Sequence, residues 1–75
     1  MIIRRLQVNH HLRVLAETTD GLRIESTARL LPGQVIELVW PDDEQEHARR
    51  VCVLTWAITK LGSDGPTYAG CCCWQ

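Results

Sequence analysis

Residues 49–59 read Arg-Arg-Val-Cys-Val-Leu-Thr-Trp-Ala-Ile-Thr, and their spacing decides the fold class. Cys52, Leu54, Trp56 and Ile58 recur at every second position, while Val51, Val53 and Ala57 fill the positions between. A repeat of two is the side-chain period of a strand and does not fit a helix. Both faces of this strand are apolar, so both need a cover: the domain's own core on one side and a partner subunit on the other. On this reading Val51 and Val53 form a partner-binding face, and a homodimer is one way to cover it.

The same period recurs on either side. Upstream, Gln34–Trp40 places Ile36, Leu38 and Trp40 together, Leu22–Ser26 turns Leu22 and Ile24 inward, His11–Glu17 groups Leu12 with Val14 and Ala16, and Ile2–Val8 groups Ile2, Leu6 and Val8. Downstream, Thr67–Trp74 makes a last strand after a loop, Leu61–Pro66. Turn residues separate the runs: Thr18-Thr19-Asp20-Gly21, with Gly21 free to take a positive φ, and Pro32-Gly33. The expectation is a single all-β domain spanning residues 1–75, a small six-stranded antiparallel β-barrel whose closure removes exposed sheet edges.

Composition narrows the function. Hydrophobic residues make up 45% of the chain and charged residues 23%, with a net charge of −1, so the chain can fold and lacks the basic excess of a general nucleic-acid binder. No apolar run approaches the roughly 20 residues of a membrane helix. Met1–Leu6 lacks the apolar core of a secretory signal, which leads to the expectation of a cytoplasmic protein. Charge is uneven along the chain. Residues 30–47 hold five acids and no Lys or Arg, four of them (Asp42, Asp43, Glu44, Glu46) clustered at the tip of an expected hairpin and suited to a basic partner surface.

Catalytic patterns are missing: Ser63-Asp64 has no adjacent histidine, and a barrel of this size is expected to leave no cleft of roughly 300–1,000 Å³. The expectation is a non-enzyme. Cys71-Cys72-Cys73 lacks the Cys-x2-Cys spacing of a zinc site. In a strand, adjacent cysteines point to opposite faces, so Cys72 groups with Tyr68, Gly70 and Trp74, and Cys71 and Cys73 with Ala69. The core role of a small hydrophobe is the main reading and no metal residues are assigned. Thiolate metal binding is the alternative if Cys52 or a histidine (His10, His11 or His47) converges on Cys71 and Cys73.

From Gly21 to Trp74 the order of signals resembles a PilZ domain, the bacterial β-barrel known as a cyclic di-GMP receptor. Gly21-Leu22-Arg23-Ile24-Glu25-Ser26, Leu31-Pro32-Gly33-Gln34-Val35-Ile36-Glu37-Leu38, Arg50–Trp56 and Gly65-Pro66-Thr67-Tyr68-Ala69-Gly70 carry the resemblance. It implies arginines that fork onto phosphate and guanine, and a polar D/N-x-S-x-x-G turn. Here Arg4 and Arg5 are adjacent where the family spaces its arginines. Ala16 to Gly21 occupies the second motif, with Thr18 in place of Ser, Gly21 retained, and Ala16 where the family has Asp or Asn. The resemblance therefore implies a non-catalytic regulatory or adaptor module working through a protein partner in bacterial signalling, without a cofactor. Its alternative is a cyclic di-GMP receptor in which Arg4, Arg5, Arg13 and Arg23 grip the nucleotide and Thr18 and Gly21 supply the turn.

Overall fold

The computed structural model describes residues 2–41, 45 and 47–75. Among them are seven strands: β1 (Arg4–Gln7), β2 (Leu12–Glu17), β3 (Gly21–Ser26), β4 (Val35–Trp40), β5 (His47–Val53), β6 (Ala57–Gly62) and β7 (Gly65–Trp74). Among the described residues no helix is long and apolar enough to cross a membrane. Six strands follow one path, β1-β4-β5-β7-β3-β2, and β6 pairs with β7 off that path.

The connectivity forces the sheet to curl. Strands β1 and β2 lie at opposite ends of the path but are joined through residues 8–11 alone. Five residue steps reach at most about 18 Å. In a flat six-stranded sheet the edge strands stand about 24 Å apart. The sheet therefore bends into an open half-barrel, and reciprocal hydrogen bonds between Asn9 and Leu12 (3.0 and 3.1 Å) hold the connecting turn.

In β3 and β4 the alternation read from sequence is the alternation of the core, whereas Ile2, 97% exposed, and Ala16, exposed past a register shift in β2, depart from it. Ile24, Ile36, Leu38, Val51 and Val53 are fully buried, and Leu12, Leu22, Leu30 and Cys72 complete the cluster. Pro32-Gly33 makes the expected turn, with Gln34 N–H donating to the Leu31 carbonyl (3.0 Å) and Gly33 at φ +90°, a value that favours glycine.

Four details differ from expectation. Strand β1 pairs with β4 in parallel, Arg4 opposite Ile36 and Gln7 opposite Val39, so the sheet is antiparallel except at that edge. Leu61–Pro66 is not a loop: Gly62 faces Gly65 across a tight turn and the flanking residues continue the ladder. Gly21 has no positive φ; it must be glycine because a Cβ there would lie 1.9 Å from the carbonyl oxygen of Cys72.

The largest difference concerns residues 49–59, which form two strands. Val53 faces Cys72 and Ala57 faces Ala69, so four steps on one side match three on the other. That extra residue is a β-bulge, and it exchanges the faces of the chain. Val51 and Val53 before it and Trp56 within it all pack on the core. Val51 and Val53, at 0% exposure, offer no surface to a partner.

Residues 54–56 pass closely over β7. The Cys71 carbonyl accepts from both Leu54 N–H (2.8 Å) and Thr55 N–H (3.3 Å), and the Thr55 hydroxyl accepts from Cys71 N–H (3.0 Å). A Cβ on Gly70 would lie 1.8 Å from the Thr55 carbonyl oxygen, backbone that cannot step aside alone. Gly70→Ala should therefore destabilise the domain by about 3 kcal/mol or more. Gly62→Ala, whose Cβ would meet only an ordinary 3.6 Å contact, should stay within about 0.5 kcal/mol of wild type. Urea unfolding followed by tryptophan fluorescence measures both; equal effects would contradict the close crossing at Gly70.

Candidate functional site

The β2–β3 hairpin and the C-terminal half of β7 enclose a groove of about 360 Å³ on the outer face of the sheet. Its walls include Ala16, Thr18, Gly21, Arg23, Leu54 and Cys73. This volume reaches the range expected to be out of reach for so short a chain; the hollow is bordered by exposed Arg23, Leu54 and Cys71 as well as by Leu22 and Cys72 of the core.

Of the six residues assigned to nucleotide binding, Thr18, Gly21 and Arg23 line this groove. The other three arginines lie elsewhere. Arg4 lines a separate depression with Asn9, His11 and Ser26, and donates to the Arg29 carbonyl (3.5 Å). Arg5 Nε donates to Glu37 Oε1 (2.8 Å), and Arg50 approaches the other oxygen of the same carboxylate at 3.6 Å. These three residues stand opposite one another on β1, β4 and β5, so the ladder itself aligns the charges. Arg13 is bonded to Glu25, its cross-strand partner on β3. Exposed pairs of this kind contribute at most about 1 kcal/mol, yet an anion would have to displace a carboxylate to engage Arg5 or Arg13.

The Thr18 hydroxyl is committed to its own turn. It accepts from Asp20 N–H (3.3 Å) and Gly21 N–H (3.2 Å) and donates to the Gly21 carbonyl (3.3 Å). The Thr18 carbonyl accepts from Trp74 Nε1 (3.2 Å). What resembled a guanine-binding turn is thus satisfied as a hairpin turn that anchors the end of β7.

The acidic residues assigned to a partner surface, Asp42, Asp43, Glu44 and Glu46, lie outside the described residues; the strands on either side pair with Trp40 opposite His47.

The cysteines divide as strand alternation requires. Cys72 is buried, 3% exposed, whereas Cys71 is exposed and Cys73 half-buried, the latter two lining the outer groove. Cys52 of β5 is half-buried and stands directly opposite Cys73. That opposition is a matter of register between residues 21 apart, and local spacing gives no sign of it. Among the described residues, no three His, Cys, Asp or Glu side chains are grouped so as to hold a metal ion. A second feature missed in the sequence is that His11 shares an open hollow with Ser63 and Asp64 beside the β6–β7 hairpin.

No family model, curated protein or solved structure matches the chain.

Burial, reinforced by the neighbouring thiolates of Cys71, Cys73 and Cys52, pushes the Cys72 thiol up from its ordinary 9.0 to about 11. A raised folded-state value means the folded chain holds this proton longer than the unfolded one. The stabilisation is complete below 9.0 and is lost as pH rises through about 11. The stability difference between wild type and Cys72→Ala should therefore shrink as pH climbs from below 9.0 to about 11. Denaturant titrations across that window check this, and a constant difference would show that Cys72 ionises as freely in the fold as in the unfolded chain.

Proposed function

We propose that the chain is a non-catalytic binding module that works through a protein partner in a regulatory or adaptor role, a PilZ-like domain whose nucleotide motifs have been lost. The setting implied by the resemblance is bacterial cytoplasmic signalling. The observation that carries the reading is strand β6. Every one of its residues is exposed, among the described residues it pairs with β7 alone, and it displays Ile58 (55% exposed) and Leu61 (78%). Leu54, 53% exposed, adds to the apolar surface just before it.

A strand with an unpaired edge and apolar side chains is a template for another extended segment. Main-chain bonds to such an edge give affinity, and pockets for alternate side chains give selectivity. This surface replaces Val51 and Val53 in the partner-binding role, and a second copy of the chain is one occupant it accepts.

Affinity capture with wild type and with the double variant Ile58→Asp/Leu61→Asp tests the reading, followed by titration of whichever protein is retained. Losing two buried apolar contacts should weaken binding by at least about tenfold. Capture of the same proteins at the same affinity by both forms would remove β6 from the function.

The grouping of Arg23, Thr18 and Gly21 around one groove favours a second reading, cyclic di-GMP binding. Calorimetric titration with that nucleotide up to on the order of 100 µM should give no saturable heat. Micromolar binding lost in Arg23→Ala would replace the partner reading with the sensor reading.

A further inference from the structure

We propose that Cys52 and Cys73 are a reversible dithiol–disulfide pair on the outer face of the sheet, oxidised by a small peroxide and reopened by a thiol reductant. The inference does not depend on the partner reading. It rests on register. Cys52 and Cys73 are Cα partners on adjacent antiparallel strands, with Val51 opposite Trp74 on one side and Val53 opposite Cys72 on the other.

The type of pair follows from the flanking bonds. Leu54 N–H donates to the Cys71 carbonyl and Gln75 N–H to the Arg50 carbonyl. Hydrogen-bonded pairs alternate along an antiparallel ladder, so Cys52 and Cys73, midway between those two, form one as well. Such a pair has its Cα atoms about 5.5 Å apart. Disulfides span about 4.4–6.8 Å between Cα atoms, so the backbone already stands within reach. The Cβ atoms of a directly opposed pair lie up to about 5.5 Å apart. A disulfide draws them to about 3.5–4.5 Å. Closing the bond therefore pulls β5 and β7 slightly together. A strained, accessible disulfide is the labile kind, suited to being made and broken.

Access and selectivity also come from the fold. Cys73 lines the outer groove with Cys71, and Cys52 and Cys73 are both half-buried rather than sealed in the core. Cys72 also borders that groove, but it packs in the core cluster and is only 3% exposed, so burial shields its sulfur. Cys71 shares the outer face with Cys73, but the residue opposite it on β3 is Arg23, and on the β5 side it meets the Leu54–Thr55 backbone.

The chemistry balances with hydrogen peroxide as oxidant. One thiol gives up its proton, the thiolate attacks a peroxide oxygen, the O–O bond breaks, and a sulfenic acid forms while the leaving hydroxide takes up that proton as water. The second sulfur then displaces the sulfenic oxygen as water and the S–S bond forms. Two thiols and one peroxide give one disulfide and two waters, the two sulfurs supplying the two electrons. A dithiol reductant reverses the result by thiol–disulfide exchange.

The test uses the whole chain treated with hydrogen peroxide, alkylated, and digested with trypsin without reduction. Cleavage after Arg50 and Lys60 separates Cys52, in residues 51–60, from Cys71, Cys72 and Cys73, in residues 61–75. The expected product is these two peptides joined within one chain at a mass two hydrogens below their sum, and split again by dithiothreitol. The link should persist in Cys71→Ser and Cys72→Ala and be lost in Cys52→Ser and Cys73→Ser. Circular dichroism checks the fold of each reduced variant, with Cys73→Ala standing in should the serine form not fold. A link that survives in folded Cys73→Ser or Cys73→Ala, a disulfide confined to residues 61–75, a link between two chains, or oxygen addition alone would each overturn the proposal.

Discussion

The crossing of residues 54–56 over Gly70 is the constraint on which the rest of the molecule depends. Strand β7 serves three neighbours: β3 along residues 68–73, β5 along 72–74 and β6 along 65–69. The last two share one edge of β7, so the chain running from β5 into β6 must follow that edge. It does so with one residue in excess, fixed by the double acceptor at the Cys71 carbonyl and by the Thr55 hydroxyl. The crossing is close enough that only glycine fits beneath it. In a domain this small, where burial leaves a narrow margin of stability, a local fault at such a point is felt throughout.

Facing follows from that extra residue. It lets Val51 and Val53 enter the core and still sends Trp56 inward, where its indole N–H finds the Ala28 carbonyl at 3.1 Å and its ring stacks on Tyr68. By the same alternation Cys52 turns outward to meet Cys73. Beyond the bulge, the β6–β7 hairpin leaves Ile58 and Leu61 exposed. The paired thiols thus belong to the regular ladder before the bulge, and the apolar edge to the hairpin after it, where the ladder shifts again between Ile58 and Lys60.

Much of the fold is legible in the chain itself. Leu22 with Ile24, and Ile36 with Leu38, announce their burial by alternation, and Pro32-Gly33 announces its turn. The runs flanking the acidic stretch read as strands, and they pair with Trp40 opposite His47. The bulge is not legible, because one residue more or less leaves an alternating run looking uninterrupted while reversing its faces. The parallel pairing of β1 with β4 joins residues 32 apart and has no local signature. The candidate nucleotide site fails for a related reason: sequence shows how many arginines there are, and only strand pairing shows that Arg5 and Arg13 already face Glu37 and Glu25. Cys72's inward and Cys73's outward position were readable from alternation, whereas the opposition of Cys73 to Cys52 depends on register.

Cross-strand nuclear Overhauser contacts between residues 53–58 and 67–73 test the central claim most directly. With the bulge, Val53 lies opposite Cys72 and Ala57 opposite Ala69. An unbroken ladder continued from Val53 and Cys72 would set Ala57 opposite Tyr68 instead. Contacts pairing Ala57 with Ala69 are the predicted result; contacts placing Ala57 directly across from Tyr68 would contradict the account.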